Sequence, residues 1–243
     1  MGFIMLLVVG IAENGKIVLA NSQDITNPVP LVGIQQISAQ NSYHTCALTI
    51  TGGIKCWGAN YYHQLGDGTT VSRTTPVNVP GLSTGVATIA TGTYHTCVLT
   101  TTGGVKCWGG DEQNQPGIQM YARNDQPVDI AGLSKDVAAL AAGSDHTCAL
   151  TTNGAVKCWG KNNYGQLGDG TQVNHIDPVD THGLSANVVA IAAGSYHTCA
   201  LTNTGGMKCW GWNIFGQIGD GSSDNRFTPV DVTGLTSDVT AIA

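Results

Sequence analysis

The residues with the clearest chemical potential are four copies of a His-Thr-Cys tripeptide, spaced 51 residues apart along the chain. The four histidine–cysteine pairs are His44 and Cys46, His95 and Cys97, His146 and Cys148, and His197 and Cys199. Neighbouring imidazole and thiol groups can bind zinc or act as a nucleophile and its base. Whether they do so here depends on the partner of each cysteine.

A second cysteine follows each tripeptide after ten residues, within the sequence Lys-Cys-Trp-Gly. These second cysteines are Cys56, Cys107, Cys158 and Cys209. All eight cysteines thus fall into equivalent pairs with none left over, which predicts four disulfides and an oxidising compartment. Zinc would require CxxC-type spacing or the convergence of two pairs, and a ten-residue separation supplies neither. Buried thiols that face each other without bonding remain the alternative.

The segment between the paired cysteines has the pattern of a β-hairpin. Cys46 and Cys56 are symmetric about Thr51, which leaves a three-residue loop that ends at Gly52. Such a loop favours glycine at its last position, where φ is positive. The two cysteines then oppose each other at a non-hydrogen-bonded pair, where Cα atoms approach to about 4.5 Å. Glycine recurs at this loop position in every copy, at Gly52, Gly103, Gly154 and Gly205.

The repeat predicts an all-β fold, because short alternating strands are separated by glycine-rich breaks every 8 to 12 residues. Four strands in about 51 residues correspond to one blade of a β-propeller. We therefore predict a single domain over 1–243, built from four-stranded blades. Its units are a degenerate first unit at 3–33, full repeats at 34–85, 86–136, 137–187 and 188–238, and a closing strand at 239–243.

The chain termini suggest how the ring closes. The apolar stretch 1–12 has the length of a signal-peptide core but lacks its positive region, and it is too short to span a bilayer. We favour 3–20 as a degenerate hairpin, and a signal peptide is the alternative. The closing strand could complete the blade that this hairpin opens, giving a closed five-bladed ring. A fragment of a seven-bladed propeller would have the same ends. We favour the five-bladed ring.

Three further features of the repeat have structural explanations. Trp57, which follows Cys56 and faces the other side of its strand, is expected to fill the space between blades, as are Trp108, Trp159 and Trp210. An Asp-Gly pair recurs at Asp67, Asp169 and Asp220. One aspartate in each copy supplies too few oxygen ligands for calcium, so we interpret these pairs as Asx turns. Pro-Val pairs that begin at Pro76, Pro127, Pro178 and Pro229 predict an edge strand in each blade.

Composition and motif searches argue against several function classes. A net charge of −6 argues against binding to the phosphate backbone of nucleic acid, which needs a basic surface. No nucleophile elbow or phosphate-binding loop occurs, so we expect no enzyme, cofactor or metal. Four of the seven histidines are fixed by the repeat, and we expect each to make a structural hydrogen bond within its own blade.

The unit Ala-Ile-Ala-Ala-Gly-x-x-His-Thr-Cys-Ala-Leu-Thr, followed by Lys-Cys-Trp-Gly and Gly-Gln-Leu-Gly-Asp-Gly, resembles the repeats of the regulator of chromosome condensation family. The resemblance covers 34–243 well, and the paired cysteines resemble its bacterial, secreted or surface-associated branch. It implies a propeller, usually of seven blades, with a non-enzymatic role. Some members are guanine-nucleotide exchange factors for small GTPases, and one propeller of similar repeats inhibits β-lactamases.

Binding residues are expected in turns and loops at one end of a propeller. The turn position before each His-Thr-Cys holds Tyr43, Tyr94, Asp145 and Tyr196, which either anchor a partner or pack between blades. A loop position holds Tyr62, Tyr164 and Phe215, for which packing is the simpler interpretation. Residues that differ between copies are the better specificity candidates: Tyr61, His63, Asp111, Glu112, Met120, Tyr121 and Trp212.

Our first functional hypothesis is a monomeric propeller, extracellular, periplasmic or on the cell surface, that binds a protein or a surface polymer. It has no membrane span and no nucleic-acid partner. The alternatives are an exchange factor for a small GTPase and an inhibitor of a secreted enzyme. The redox state of the cysteines separates the first hypothesis from the exchange factor, because a GTPase partner lies in a reducing compartment.

Overall fold

In a computed structural model, residues 32–40, 42–110 and 125–243 are described, and they are built from β-strands, turns and loops. The strands are β1 Ile34–Ser38, β2 His44–Thr49, β3 Ile54–Gly58, β4 Arg73–Asn78, β5 Val86–Thr91, β6 His95–Thr100, β7 Val105–Gly109, β8 Val128–Asp129, β9 Val137–Ala142, β10 His146–Thr151, β11 Val156–Gly160, β12 His175–Asp180, β13 Val188–Ala193, β14 His197–Thr202, β15 Met207–Gly211 and β16 Arg226–Asp231. None of these residues belongs to a helix that could span a membrane.

The strands form four separate antiparallel sheets of four consecutive strands each, in the orders β1–β4, β5–β8, β9–β12 and β13–β16. The first strands of the sheets, β1, β5, β9 and β13, contact one another in succession. Each Pro-Val pair lies in or beside the fourth strand, at a sheet edge where the missing proline N–H breaks no ladder bond. The predicted all-β fold with four-stranded blades is confirmed.

Each blade carries a disulfide across its central hairpin. Cys46 pairs with Cys56 in the β2–β3 register, with Cα atoms 4.1 Å apart, and the other three blades repeat this arrangement. Gly52 has a φ of 78°, as the three-residue loop requires. The Thr49 N–H donates to the Gly53 carbonyl at 2.8 Å, so the cysteines occupy the predicted pairing position.

Tryptophan side chains join successive blades. Trp108 is fully buried, and it packs in a cluster with Leu48, Ile54 and Leu65 of the preceding blade. Its indole N–H donates to the Gln64 carbonyl of that blade at 3.0 Å. Gly66 makes this approach possible, because a Cβ there would lie 2.6 Å from the Trp108 ring nitrogen. The predicted inter-blade role is thus confirmed at Trp108, and Trp210 repeats it with Gln166.

A buried asparagine organises the long loop between the third and fourth strands. The Asn162 side chain donates to the Asp169 carboxylate at 3.0 Å and to the Thr171 carbonyl at 3.1 Å, and it accepts the Leu167 N–H at 3.0 Å. The Thr171 N–H donates to Asp169 Oδ1 at 2.9 Å, which is the predicted Asx turn. Asn60 and Asn213 make the same contacts in the first and fourth blades.

We predict that Asn162→Ala lowers the free energy of unfolding by about 2–4 kcal/mol, because it leaves buried backbone groups of the loop without partners. Asn163→Ala, at the exposed neighbouring position, is the matched control and should change stability by less than about 0.5 kcal/mol. Chemical denaturation of both variants measures the difference. Equal stabilities would show that the loop does not depend on this side chain.

The first strands surround a central channel of about 220 Å³, whose lining also includes Ala243. Among the described residues, the contacts between first strands run from β1 through β5 and β9 to β13, and no comparable contact returns from β13 to β1, so these residues do not close a ring. Residues 239–243 form no strand with described residues, and their expected partner at 3–20 lies outside the described ranges. The five-bladed ring, the unit boundaries and the single domain therefore stay predictions.

Candidate functional site

The His-Thr-Cys motif forms a hydrogen-bonded link between neighbouring blades. His44 Nε2 lies 2.6 Å from Thr96 Oγ1 of the next blade, and Thr96 donates to the Gln64 carbonyl of the first blade at 2.9 Å. Because the single Thr96 hydroxyl proton is used in that bond, His44 must donate from Nε2. The third and fourth blades repeat this link through His146, Thr198 and Gln166. The predicted bond within the blade is present at His44, whose Nδ1 lies 2.8 Å from Ser42 Oγ, but the prediction did not include the bond from Nε2 to the next blade.

Burial keeps these histidines neutral. It lowers the pKa of His44 to about 3, and nearby His95 lowers it further. Burial likewise lowers the pKa of His95 to about 4, with Asp145 acting in the opposite direction. The pKa of His146 falls to about 3 for the same reason, with smaller contributions from His95 and His197. Neutral, enclosed rings that bond to threonines of the next blade have a structural role at His44, His95 and His146.

The turns before these histidines meet at one end of the channel and surround a depression of about 570 Å³, which we call the mouth. Its lining residues are Ser42, Tyr43, Tyr62, Thr93, Tyr94, Ser144, Asp145, Lys161, Ser195 and Tyr196. The turns are linked through their backbones, since the Thr93 N–H donates to the Ser144 carbonyl and the Ser144 N–H to the Ser195 carbonyl, both at 3.0 Å. The four turn residues named from the sequence are thus brought together, while their role in binding stays a prediction.

Aromatic rings form two groups at the mouth. In the first group, Tyr94 contacts Tyr62 of the preceding blade edge-to-face, with centroids 4.8 Å apart, and Tyr43 at 5.9 Å. Tyr43 itself is 67% exposed. Because Tyr94 packs on the loop tyrosine of the preceding blade while Tyr43 stays largely exposed, packing and binding are compatible at these positions.

The second aromatic group lies at the fourth blade. Tyr196 contacts Tyr164 at 5.6 Å and Trp212 at 5.6 Å. Trp212 also contacts Phe215, which is 79% exposed. Trp212 was named from the sequence as a residue that differs between copies, and the structure places it against the rim of the mouth.

Between the two aromatic groups lies an ion pair that the sequence analysis missed in part. Lys161 Nζ lies 3.0 Å from Asp145 Oδ2, with only 20% and 12% of the two side chains exposed. Lys161 occupies the position that Ala59, Gly110 and Trp212 hold in the other copies. The sequence signal for this ion pair is a charge at two positions where the other copies have none. Lys161 is the charged residue at one of them, and Asp145 stands at the other in place of tyrosine.

The other candidates from the sequence lie elsewhere. Tyr61 is 69% exposed and does not line the mouth. His63 lies in the same loop and has a positive φ of 62°, in place of the glycines Gly165 and Gly216. Asp111, Glu112, Met120 and Tyr121 lie outside the described residues.

We predict that His63→Gly raises the free energy of unfolding by about 0.5–1 kcal/mol, because glycine adopts this left-handed conformation without steric cost. The reverse change at the equivalent position, Gly216→Ala, should destabilise the protein by about 1 kcal/mol. Thermal or chemical denaturation measures both effects. If His63→Gly instead destabilises the protein, contacts of the imidazole outweigh the backbone conformation.

Comparison with protein-family models identifies the family of this chain. A family model described as the RCC1-like domain matches residues 6–243. The chain belongs to the RCC1-like domain family. The resemblance inferred from the repeat is therefore confirmed, while the bacterial and secreted assignments are not tested by this match.

Relatives of the RCC1-like chain have diverse roles. The Ultraviolet-B receptor UVR8 of Arabidopsis thaliana is 31% identical over 92% of this chain and 52% of its own length. The probable E3 ubiquitin-protein ligase HERC4 of Homo sapiens is 34% identical over 79% of this chain and 19% of its own length. The chain thus spans about half of the first relative and a fifth of the second.

Solved structures share the fold at lower identity. Human WBSCR16 matches with a TM-score of 0.71 and 24% identity, covering 88% of this chain and 55% of its own. Prp20p of Saccharomyces cerevisiae matches with a TM-score of 0.70 and 22% identity, covering 83% of this chain and 50% of its own. These similarities establish the RCC1-like propeller fold alone.

Proposed function

We propose that this RCC1-like chain is a non-enzymatic recognition module that works outside the reducing cytosol and binds its partner at the mouth. The observation that carries the proposal is the distribution of variation among its copies. The cysteines, histidines and threonines that hold the blades recur, whereas Asp145, Lys161 and Trp212 differ from their counterparts and lie at or against the mouth. A fixed scaffold with variable residues at one end is the usual design of a propeller binding site.

The disulfides support a location in an oxidising compartment. All described cysteines are paired, and every pair joins adjacent strands of one blade. Disulfides persist in secreted, periplasmic or surface-exposed proteins and are rare in the cytosol. The disulfides therefore support the proposal of an extracellular, periplasmic or cell-surface location, with a protein or a surface polymer as the partner.

An exchange factor for a small GTPase is the second candidate. The specific observation in its favour is the structural match to Prp20p, a protein whose binding to Gsp1p and histones has been examined. The pairing of all the described cysteines argues against it, because such a partner lies among reduced thiols. An inhibitor of a secreted enzyme would be a special case of the first proposal, with an enzyme as the bound protein.

Pull-down on cell-surface material tests the position of the site. The variant Tyr43→Ala/Tyr94→Ala/Tyr196→Ala should lose the captured partner, because it removes the aromatic rim of the mouth. Tyr61→Ala is the matched control, since Tyr61 is about as exposed as Tyr43 and lies outside the mouth. Unchanged capture by the triple variant, with its melting temperature checked, would place the site elsewhere.

We also propose that the ring closes through residues 239–243 and the unit at 3–33, as a five-bladed monomer rather than a fragment of a seven-bladed propeller. Such closure would remove the open edges of the terminal blades. Truncation after residue 238 should then lower the melting temperature. An unchanged melting temperature would argue against closure by this strand.

A further inference from the structure

We propose that the mouth binds the neutral pyranose end of a glycan. This inference rests on the proposed function, which places binding at the mouth, and it specifies the chemical class of the ligand. Three properties of the lining support it: its charge balance, its aromatic surfaces and its lack of aliphatic side chains. The charge balance disfavours charged ligands, the aromatic surfaces suit a sugar ring, and the lack of aliphatic side chains disfavours a peptide.

The charge balance disfavours strongly charged ligands. Asp145 and Lys161 are the two charged residues among those that line the mouth, and they lie 3.0 Å from each other. A phosphate or sulfate that bonds to Lys161 would lie beside the Asp145 carboxylate, and a basic side chain that bonds to Asp145 would lie beside the Lys161 ammonium, so either would be repelled unless it separated the pair. Because the two side chains are mostly buried, losing the pair would leave one charge without its partner, which is costly. A neutral ligand can instead bond to the intact pair.

The same ion pair is suited to neighbouring hydroxyl groups. The Asp145 carboxylate has acceptor capacity beyond its bond to Lys161, and the Lys161 ammonium has three donors, of which one is used by Asp145. One hydroxyl of a vicinal diol can therefore donate to Asp145 while its neighbour accepts from Lys161. Hydrogen bonds to ionised groups are stronger than those between neutral groups, so the pair would fix the orientation of a sugar ring.

Aromatic rings flank this ion pair within the same lining. Tyr94 is held by its contacts with Tyr43 and Tyr62 on one side, and Tyr196 by Tyr164 and Trp212 on the other. Rings that are already packed lose little conformational freedom when a ligand binds. A pyranose presents a C–H face that can pack on such a ring and a hydroxyl edge that can reach the ion pair. A cavity of about 570 Å³ is within the usual range for small-ligand sites.

The lining is less suited to a peptide. None of the residues that line the mouth is Leu, Ile, Val or Met, so no aliphatic pocket receives an apolar anchor. The mouth is formed by turns and loops rather than by the edge of a strand, which excludes addition of an extended peptide to a sheet at this place. A protein partner at this face therefore becomes one of the outcomes that the test must separate.

A printed array of neutral and acidic oligosaccharides, probed with the full chain, tests the ligand class. We expect neutral oligosaccharides to be retained, and titration calorimetry with the strongest neutral oligosaccharide to give saturable binding. Tyr43→Ala and Asp145→Asn should each weaken that binding by about tenfold or more, which corresponds to about 1.4 kcal/mol. Tyr61→Ala should leave it within twofold of the unmodified chain.

Several results would overturn the inference. Absence of binding to every neutral oligosaccharide, retention of acidic ones alone, or neutral binding that Tyr43→Ala and Asp145→Asn leave unchanged would each contradict it. Lys161→Gln, checked for an unchanged melting temperature, guards against a fold defect in Asp145→Asn and should also weaken binding. If no glycan binds but a protein is captured and lost in the triple tyrosine variant, the mouth is the site and the glycan inference alone fails. If neutral glycans bind and the variants have no effect, the proposed site fails as well.

Discussion

Removal of all four disulfides is expected to lower the free energy of unfolding by about 12 kcal/mol. Each disulfide closes a loop with a sequence separation of 10, which in the chain-entropy model contributes about 3 kcal/mol. The four loops do not overlap, so their contributions should be close to additive. Because a domain is stable by only about 5–15 kcal/mol, the reduced chain should be marginally folded.

Chemical denaturation of cysteine variants measures this effect without relying on the access of a reductant to buried sulfur atoms. Cys148→Ala/Cys158→Ala should cost about 3 kcal/mol, and Cys97→Ala/Cys107→Ala a similar amount, because the two hairpins are equivalent. Combining the two pairs should give about the sum. A variant without any of the eight cysteines that unfolds at the same denaturant concentration as the native protein would show that the disulfides are not what stabilises the blades.

Acidification from pH 7.5 to pH 5 is expected to destabilise the protein by roughly 6 kcal/mol. The folded-state pKa values of His44, His95 and His146 lie at about 3, 4 and 3, well below the ordinary value of 6.5. The unfolded chain therefore takes up protons first as the pH falls. Their contribution to stability is fully present above about pH 6.5 and is lost progressively until the pH reaches about 3–4, at roughly 2 kcal/mol per histidine at pH 5.

Denaturation curves at pH 7.5, 6, 5 and 4.5 test this dependence, and a histidine variant serves as its control. His146→Gln should be less stable than the native protein at pH 7.5, because the bond to Thr198 is altered. Its further loss of stability between pH 7.5 and pH 5 should be smaller by roughly 2 kcal/mol, since one of the buried histidines with a lowered pKa is gone, while burial still lowers the pKa of His44, His95 and His197. A stability that is constant from pH 7.5 to pH 5 would mean that the rings become protonated without cost in the folded state.

The sequence was sufficient to predict the features that depend on residues lying close together along the chain. The symmetry of Cys46 and Cys56 about Thr51 fixes the register of one hairpin, because a three-residue loop allows a single pairing of the flanking strands. The Pro-Val pairs identify edge strands by a purely local argument about a missing donor. The regular repetition of both features then predicts the number of strands in each blade.

Contacts between blades could not be derived in the same way. The His44–Thr96 bond joins residues 52 positions apart, and nothing local in either copy indicates that the two side chains meet. Because every copy contains both a histidine and a threonine, the bond within a blade and the bond between blades are equally consistent with the sequence. Three-dimensional stacking of the blades decides between them.

The candidate site likewise has one part that the sequence predicted and one part that it did not. The four turn residues were identified because the propeller architecture places equivalent turns at one end of the channel. The pairing of Asp145 with Lys161 depends on the close approach of two different loops of one blade, 16 residues apart. Lys161 was therefore missed, although it is the charged residue at a position where the other copies have Ala, Gly or Trp.

We propose that this chain is a disulfide-stabilised recognition module that works in an oxidising compartment rather than a regulator among cytosolic thiols. Titration of free thiols, on protein recovered from its own cells under denaturing, non-reducing conditions with alkylation at lysis, tests that claim most directly. We predict no free thiols before reduction and eight after it, in agreement with the eight cysteines of the chain. Eight free thiols before reduction would contradict the account and favour the exchange-factor alternative.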